Sequence, residues 1–204
     1  MVLFNGKYFI SPQELYAVSY QLGRNIFDSG FVPTFVAGLW RGGTPVGITV
    51  HETLDYLGIK TDHTSIKTKS YEPGIDRKSS NVEVNGIDYI LERTNPDTKL
   101  LIVDDVWDRG LTIKAVLDKL YSGKIGSDLP KEIKVATGWY KPTRNETHMK
   151  PDFYMVETAE WLVFPHELDG LTPEEIAVGK GPEIASIILG KPRAEIEEII
   201  RKAY

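Results

Sequence analysis

Cysteine is absent from the 204 residues, so neither a disulfide nor a thiolate-held metal contributes to this chain. Positive charge is not in excess. Against 24 Lys and Arg stand 29 Asp and Glu, a net charge of -5, and no basic stripe interleaved with aromatic residues occurs, which removes the usual basis for a nucleic-acid partner. No apolar run approaches the roughly 20 residues of a membrane-spanning helix, and residues 1–6 carry no basic segment ahead of a hydrophobic stretch. The expectation is a cytoplasmic protein without a membrane partner. Internal repeats and low-complexity tracts are missing as well. What is present is 41% hydrophobic residues in a chain long enough to bury one sizeable core.

Residues 100–104 read as a buried strand that ends in the adjacent carboxylates Asp104 and Asp105 and turns, through Asp108, Arg109 and Gly110, into a helix opening at Leu111 and Thr112. A helix start presents unpaired N–H donors and the positive end of the helix dipole, and so attracts anions. Two carboxylates just upstream repel a phosphate. They suit vicinal ribose hydroxyls or a hydrated divalent cation, Mg2+ in particular. The run therefore fits a magnesium-bound phosphorylated sugar; an ordinary strand, acidic turn and helix is the bland alternative.

A second segment repeats the pattern. An apolar strand at residues 32–37 leads through Trp40 to Arg41, Gly42 and Gly43, and then to a helix with Pro45 just inside its start. Glycines let backbone amides approach an anion without Cβ interference. Residues 69–81 are polar, rich in breakers and without apolar periodicity, which predicts a long loop, either a lid or a hairpin tip.

Together these segments resemble the type I phosphoribosyltransferases, whose signature is a strand followed by Asp/Glu-Asp-x-x-x-Thr-Gly-x-Thr. Arg109 stands where that signature usually has Thr, and Leu111 where Gly or Lys is common. An Arg there either caps a phosphate bidentately or points away. The resemblance spans roughly residues 30–168 and implies an α/β fold, a parallel twisted sheet with helices on both faces and a small hood; a C-terminal helical extension follows it, a tail that short bacterial members of the family lack. It further implies that Asp104 and Asp105 bind ribose hydroxyls, with Asp105 also facing Mg2+. Residues 108–112 would hold the 5'-phosphate, and Arg41, Gly42 and Gly43 the pyrophosphate, with a cis peptide bond at Trp40-Arg41. Ser70, Tyr71 and Arg77 would cover the site, and Glu167 would touch a metal-bound water.

The 6-oxopurine branch is the one resembled. There a lysine following a strand, here Lys141, donates to the exocyclic oxygen at C6, an aromatic residue, here Trp161, stacks on the base, and the Leu162 backbone reads the base edge. For Trp161 the bland alternative is core packing, and for Lys141 a solvated end. Asp108 is the candidate catalytic base, because glycosyl transfer to a protonated purine nitrogen needs a carboxylate within reach of the ring. The adenine and orotate branches usually place Ala at that position. Capping the helix is the other use of an Asp there. The implied reaction is transfer of the 5-phosphoribosyl group of phosphoribosyl pyrophosphate to hypoxanthine, guanine or xanthine, in a homodimer or homotetramer. A non-catalytic nucleotide-sensing regulator and a transferase for another base are the alternatives.

Along the chain, Asn5-Gly6 predicts a hairpin in residues 2–10, and Ser11 to Glu14 a capping box ahead of a helix carrying Leu15, Val18, Leu22 and Ile26. Strands are expected at 59–67, 86–91, 99–104 and 132–140, and helices at 44–57 and 111–122. After Leu168 three short helices follow, the last two at Pro182–Leu189 and Arg193–Ala203, giving a domain at 1–168 and a helical extension at 169–204.

Overall fold

The computed structural model describes residues 2–70, 82–123 and 129–204. In chain order its elements are β1 (Val2–Phe4), β2 (Lys7–Phe9), α1 (Pro12–Asp28), β3 (Phe35–Trp40), α2 (Gly43–Tyr56), β4 (Asp62–Ser70), β5 (Val82–Asn85), α3 (Asp88–Arg93), β6 (Lys99–Trp107), α4 (Leu111–Gly123), β7 (Glu132–Tyr140), a 3₁₀ turn (Pro142–Arg144), β8 (Phe153–Glu157), β9 (Trp161–Val163), α5 (Pro173–Lys180), α6 (Pro182–Leu189) and α7 (Arg193–Ala203). They fall into two compact units, Tyr16–Ala159 and the pair of segments Met1–Leu15 and Glu160–Tyr204.

The larger unit is an α/β layer structure. Its sheet has the order β5-β4-β3-β6-β7-β8, parallel throughout except for β5, which pairs antiparallel with β4 at one edge. Strands buried on both faces read as continuous apolar runs, and β3 and β6 do so, contributing Phe35, Ala37, Leu39, Leu100 and Ile102 to one core with Ile113, Val116 and Leu120 of α4. Helix α2 packs on β3 and β6. The parallel order brings the carboxyl ends of β4, β3, β6 and β7 to one edge of the sheet, where ligands bind in open α/β folds.

Strand β3 spans Phe35–Trp40 where 32–37 was expected, and β4 spans Asp62–Ser70 where 59–67 was expected, so Lys69 and Ser70 end a strand and do not open a loop. Two further departures bear on the site. Residues 86–91 are not a strand: β5 ends at Asn85, Gly86 turns the chain with φ 79°, and the buried Ile87 and Ile90 take the i, i+3 spacing of α3. Strand β6 runs on to Trp107, so Asp104 and Asp105 lie inside it, with Asp104 level with Thr137 of β7.

In the smaller unit Asn5 and Gly6 have φ of 49° and 71°, the paired positive values of a tight hairpin turn between β1 and β2. Strand β9 adds in parallel beside β2, with Lys7 opposite Trp161, Tyr8 opposite Leu162 and Phe9 opposite Val163. At α1 only half of the expected capping box forms. Ser11 Oγ accepts from the Glu14 N–H at 3.1 Å, while the Glu14 carboxylate takes the Tyr8 hydroxyl at 2.6 Å. Burial and Glu14 push that phenol up to about 12. Helices α5, α6 and α7 close on Ile176, Ala177, Ala185 and Ile196, and a complete capping box between Thr172 and Glu175 opens α5. Among the described residues no helix is long and apolar enough to cross a membrane.

Candidate active site

Strand β3 delivers Arg41, Gly42 and Gly43 to the edge of the sheet, and β6, its neighbour, delivers the acidic pair. The two meet. A Cβ on Gly42 would stand 1.9 Å from Asp105 Oδ2, and one on Gly43 would stand 2.5 Å from the Val103 carbonyl oxygen and 2.7 Å from the Asp104 Cα. Only glycine permits this approach, so the turn is a backbone surface laid directly on the carboxylates. The Trp40-Arg41 peptide bond is cis, as the resemblance implied, and the Arg41 side chain is exposed.

Asp104 is partly buried and Asp105 is buried. Asp104 Oδ1 accepts from the Asp105 N–H at 3.0 Å and Asp105 Oδ1 from the Val106 N–H at 2.7 Å, while the Gly43 N–H also donates to Asp104. Burial, and then the adjacent Asp105 charge, push the Asp104 carboxyl well above the usual carboxylate range. Among the described residues no group of three or more His, Cys, Asp or Glu side chains could hold a metal ion. Two adjacent carboxylates could hold a cation that takes most of its ligands from water and substrate oxygens. Mg2+ behaves in that way.

Past β6 the chain enters the segment expected from the sequence to bind phosphate. Gly110 has φ 78°, α4 begins at Leu111, and Thr112 sits in its first turn, with the Lys114 N–H returning to the Gly110 carbonyl at 3.0 Å. The Arg109 side chain is taken up by the loop that follows β7. Its Nε and one terminal nitrogen grip Glu146 at 2.6 and 2.9 Å, and the Glu146 N–H donates to the Arg109 carbonyl at 3.0 Å. This fork holds the Glu146 carboxyl below its ordinary range. Asp108 is ion-paired with Arg144, Nε to Oδ1 at 2.9 Å, although the approach lies off the line of a hydrogen bond. The loops thus cross-pair, Asp108 with Arg144 and Arg109 with Glu146. Behind them, the Trp107 indole N–H donates to Asn145 Oδ1 at 3.2 Å, and a Cβ on Gly110 would lie within 2.7–2.9 Å of Thr147, Trp107 and Asn145.

Lys141 is buried at the carboxyl end of β7, its N–H bonded to the Trp107 carbonyl at 2.9 Å. A solvated end is thereby ruled out for it, and the residue lies beside the end of β6. Arg144 and Glu146 were not singled out from the sequence. Contacts spanning 36 and 37 positions leave no periodic trace, and the one local signal was three charges within the Lys141 to Glu146 stretch.

In the smaller unit Trp161 is 63% exposed, so core packing is excluded for it, while Leu162 is buried in β9. Glu167 Oε2 accepts from the Phe164 N–H at 2.8 Å, and the Glu167 N–H returns to the Phe164 carbonyl at 3.0 Å. That carboxylate closes its own turn with one oxygen. Ser70 is the last residue of β4, opposite Val82, whereas Tyr71 and Arg77 lie outside the described residues.

A family model described as a phosphoribosyl transferase domain matches residues 12–169. No curated protein matches the sequence. Among solved structures, the chain is similar to a purine phosphoribosyltransferase from Pyrococcus horikoshii Ot3, at 25% identity and a TM-score of 0.63, over 82% of this chain and 98% of that one. It is also similar to a xanthine-guanine-hypoxanthine phosphoribosyltransferase from Helicobacter pylori, at 21% identity and a TM-score of 0.60, over 80% and 95% of the two chains. A Neisseria gonorrhoeae protein with bound ppGpp is similar at 17% identity and a TM-score of 0.63, over 85% and 96%. The last two likenesses establish the fold alone.

Proposed function

The chain belongs to the phosphoribosyltransferase family, and from that premise we propose that it transfers the 5-phosphoribosyl group of phosphoribosyl pyrophosphate to a 6-oxopurine base, releasing pyrophosphate and the nucleoside 5'-monophosphate. The observation that supports this reading best is the seating of Gly42 and Gly43 on Asp105 and Asp104 at the tips of two adjacent parallel strands. A single activated pentose, phosphorylated at one end and diphosphorylated at the other, suits an acidic centre flanked by two anion-binding turns.

In this reading Asp104 and Asp105 accept hydrogen bonds from the ribose 2'- and 3'-hydroxyls. The backbone of Arg109, Gly110 and Leu111, with the Thr112 hydroxyl, holds the 5'-phosphate at the start of α4. Arg41 and the Gly42–Gly43 amides hold the pyrophosphate, and Ser70, Tyr71 and Arg77 are assigned to covering it. Bond cleavage leaves positive charge on the ribose and negative charge on pyrophosphate, so Arg41 stabilises the leaving group as that charge develops. Asp105 and the second oxygen of Glu167, the latter through water, are the proposed contacts of Mg2+, which would supply further charge neutralisation to pyrophosphate. Lys141 is assigned to the 6-oxo group, Trp161 to the base face and Leu162 to the base edge. Asp108 accepts the proton that the purine nitrogen loses as the new C–N bond forms.

The deciding measurement is base-dependent pyrophosphate release from phosphoribosyl pyrophosphate and Mg2+, with hypoxanthine, guanine, xanthine, adenine, uracil and orotate offered separately. Release with one or more of the first three is expected. Release confined to adenine, uracil or orotate overturns the 6-oxopurine assignment.

A further inference from the structure

The C-terminal helices carry no chemistry of their own, yet one of them reaches back to the turn that follows Trp161 and Leu162. Lys180 is the last residue of α5, and its ammonium donates to the Phe164 carbonyl at 2.6 Å and to the Pro165 carbonyl at 3.4 Å. The Phe164 carbonyl also accepts from the Glu167 N–H, and the Phe164 N–H donates to Glu167 Oε2. Both backbone groups of Phe164 are therefore held, and the Phe164 ring is buried and stacked on His166 at 5.8 Å. Burial lowers the Lys180 ammonium from the usual lysine range while the Glu167 charge acts to raise it, so the cation, the carboxylate and the turn form one group.

Helix α5 is itself fixed to the strand beside β9. Near its start, Glu175 takes Lys7 of β2 with both carboxylate oxygens at 2.8 Å. One residue before Lys180, Gly179 lies so close to Phe9 of β2 that a Cβ there would stand 2.1 Å from the ring. Strand β2 in turn pairs with β9 through Trp161, Leu162 and Val163. A helix anchored at both ends on β2 thus presents an ammonium to the turn leaving β9.

We propose that Lys180 is a positioning residue: from α5 it fixes the backbone of residues 162–167, and through that backbone it sets affinity for the purine base. The inference rests on the assignment of Trp161 and Leu162 to the base made above. It also gives residues 169–204 a role in the reaction, since their first helix delivers the lysine.

The test compares K180M and K180R with the wild-type chain in steady-state kinetics and in amide hydrogen exchange. In K180M the KM for the base rises roughly tenfold, the scale of one lost hydrogen bond to a charged group. The KM for phosphoribosyl pyrophosphate stays unchanged, exchange at the Phe164 amide accelerates, and K180R restores most of each effect. Unchanged base KM in K180M, beside an active wild type, overturns the inference. Equal losses for both substrates, tracking a lower melting temperature, also overturn it, because they mark a purely structural role. A wild type inert toward every base overturns the transferase assignment and with it the base-affinity role of Lys180, while exchange at Phe164 then reads the clamp by itself. The two failures are distinguishable in one experiment.

Discussion

At the scale of the residue, Asp108 is the proposed base, and it is ion-paired with Arg144. A carboxylate committed to the N-cap is less free to act as a base, but here the side chain meets a guanidinium across the loop instead. The ion pair keeps Asp108 near the end of β6 without drawing one of its oxygens into a hydrogen bond. Asp108→Asn keeps the shape and removes the basicity. Turnover should fall by about 10²- to 10⁴-fold, the usual contribution of a positioned general base, while phosphoribosyl pyrophosphate binding measured by calorimetry stays near the wild-type value. Unchanged turnover would remove Asp108 as the base. Arg109, the departure from the family signature, is held bidentately by Glu146 through its Nε and one terminal nitrogen. In Glu146→Gln the guanidinium loses its ionic partner, and a negative charge next to the proposed anion site disappears. The KM for phosphoribosyl pyrophosphate should drop modestly at low salt, the effect fading as salt rises, because an exposed charge acts through solvent and is screened by ions.

Between elements, the decisive contact is backbone against carboxylate. Gly42→Ala places a methyl group where Asp105 Oδ2 now lies, so either the turn or the carboxylate must shift. A displacement of about 1 Å costs on the order of a hundredfold in a reaction that depends on alignment. Thus kcat/KM for phosphoribosyl pyrophosphate should fall by about that factor, with near-native far-ultraviolet circular dichroism showing the fold retained. Much of this arrangement was legible beforehand. The apolar runs of β3 and β6 announce buried parallel strands, and Arg41-Gly42-Gly43 and Asp104-Asp105 follow such runs directly. The continuation of β6 through the two carboxylates was not legible, because Asp is depleted in strands, and only pairing with Thr137, Trp139 and Tyr140 of β7 carries the strand to Trp107. Residues 86–91 read as a strand from sequence for a related reason. Ile87 and Ile90 fit a short apolar run of either type, and the Gly86 turn decides between them. The crossing ion pairs depend on loop closure, which local pattern does not encode.

At the scale of the whole molecule, the chain's two ends are built together: the hairpin β1/β2, strand β9 and helices α5 to α7 share one compact unit. Its polar keystone is the pair Lys7 and Glu175, whose side chains are 21% and 5% exposed. Glu175 also accepts the Thr172 N–H at 3.1 Å in the capping box, so a single carboxylate joins the strand to the helix start. The Lys7 ammonium, first of all through its hydrogen bond, holds the Glu175 carboxyl below its ordinary value of 4.5. A carboxylate whose folded value is depressed contributes stability that is fully present above its unfolded value and is lost as pH falls through the folded one. Glu175→Gln should therefore reduce stability to urea by about 1–2 kcal/mol at neutral pH, in the range for a hydrogen bond to a charged group. The gap between wild type and variant should hold constant down to about pH 4.5 and narrow below it, as the wild-type carboxyl takes up the proton that the amide never needed. A gap that persists undiminished in acid would show that Glu175 acts through shape and neutral hydrogen bonding, and that the charge of Lys7 plays no part in holding the ends of the chain together.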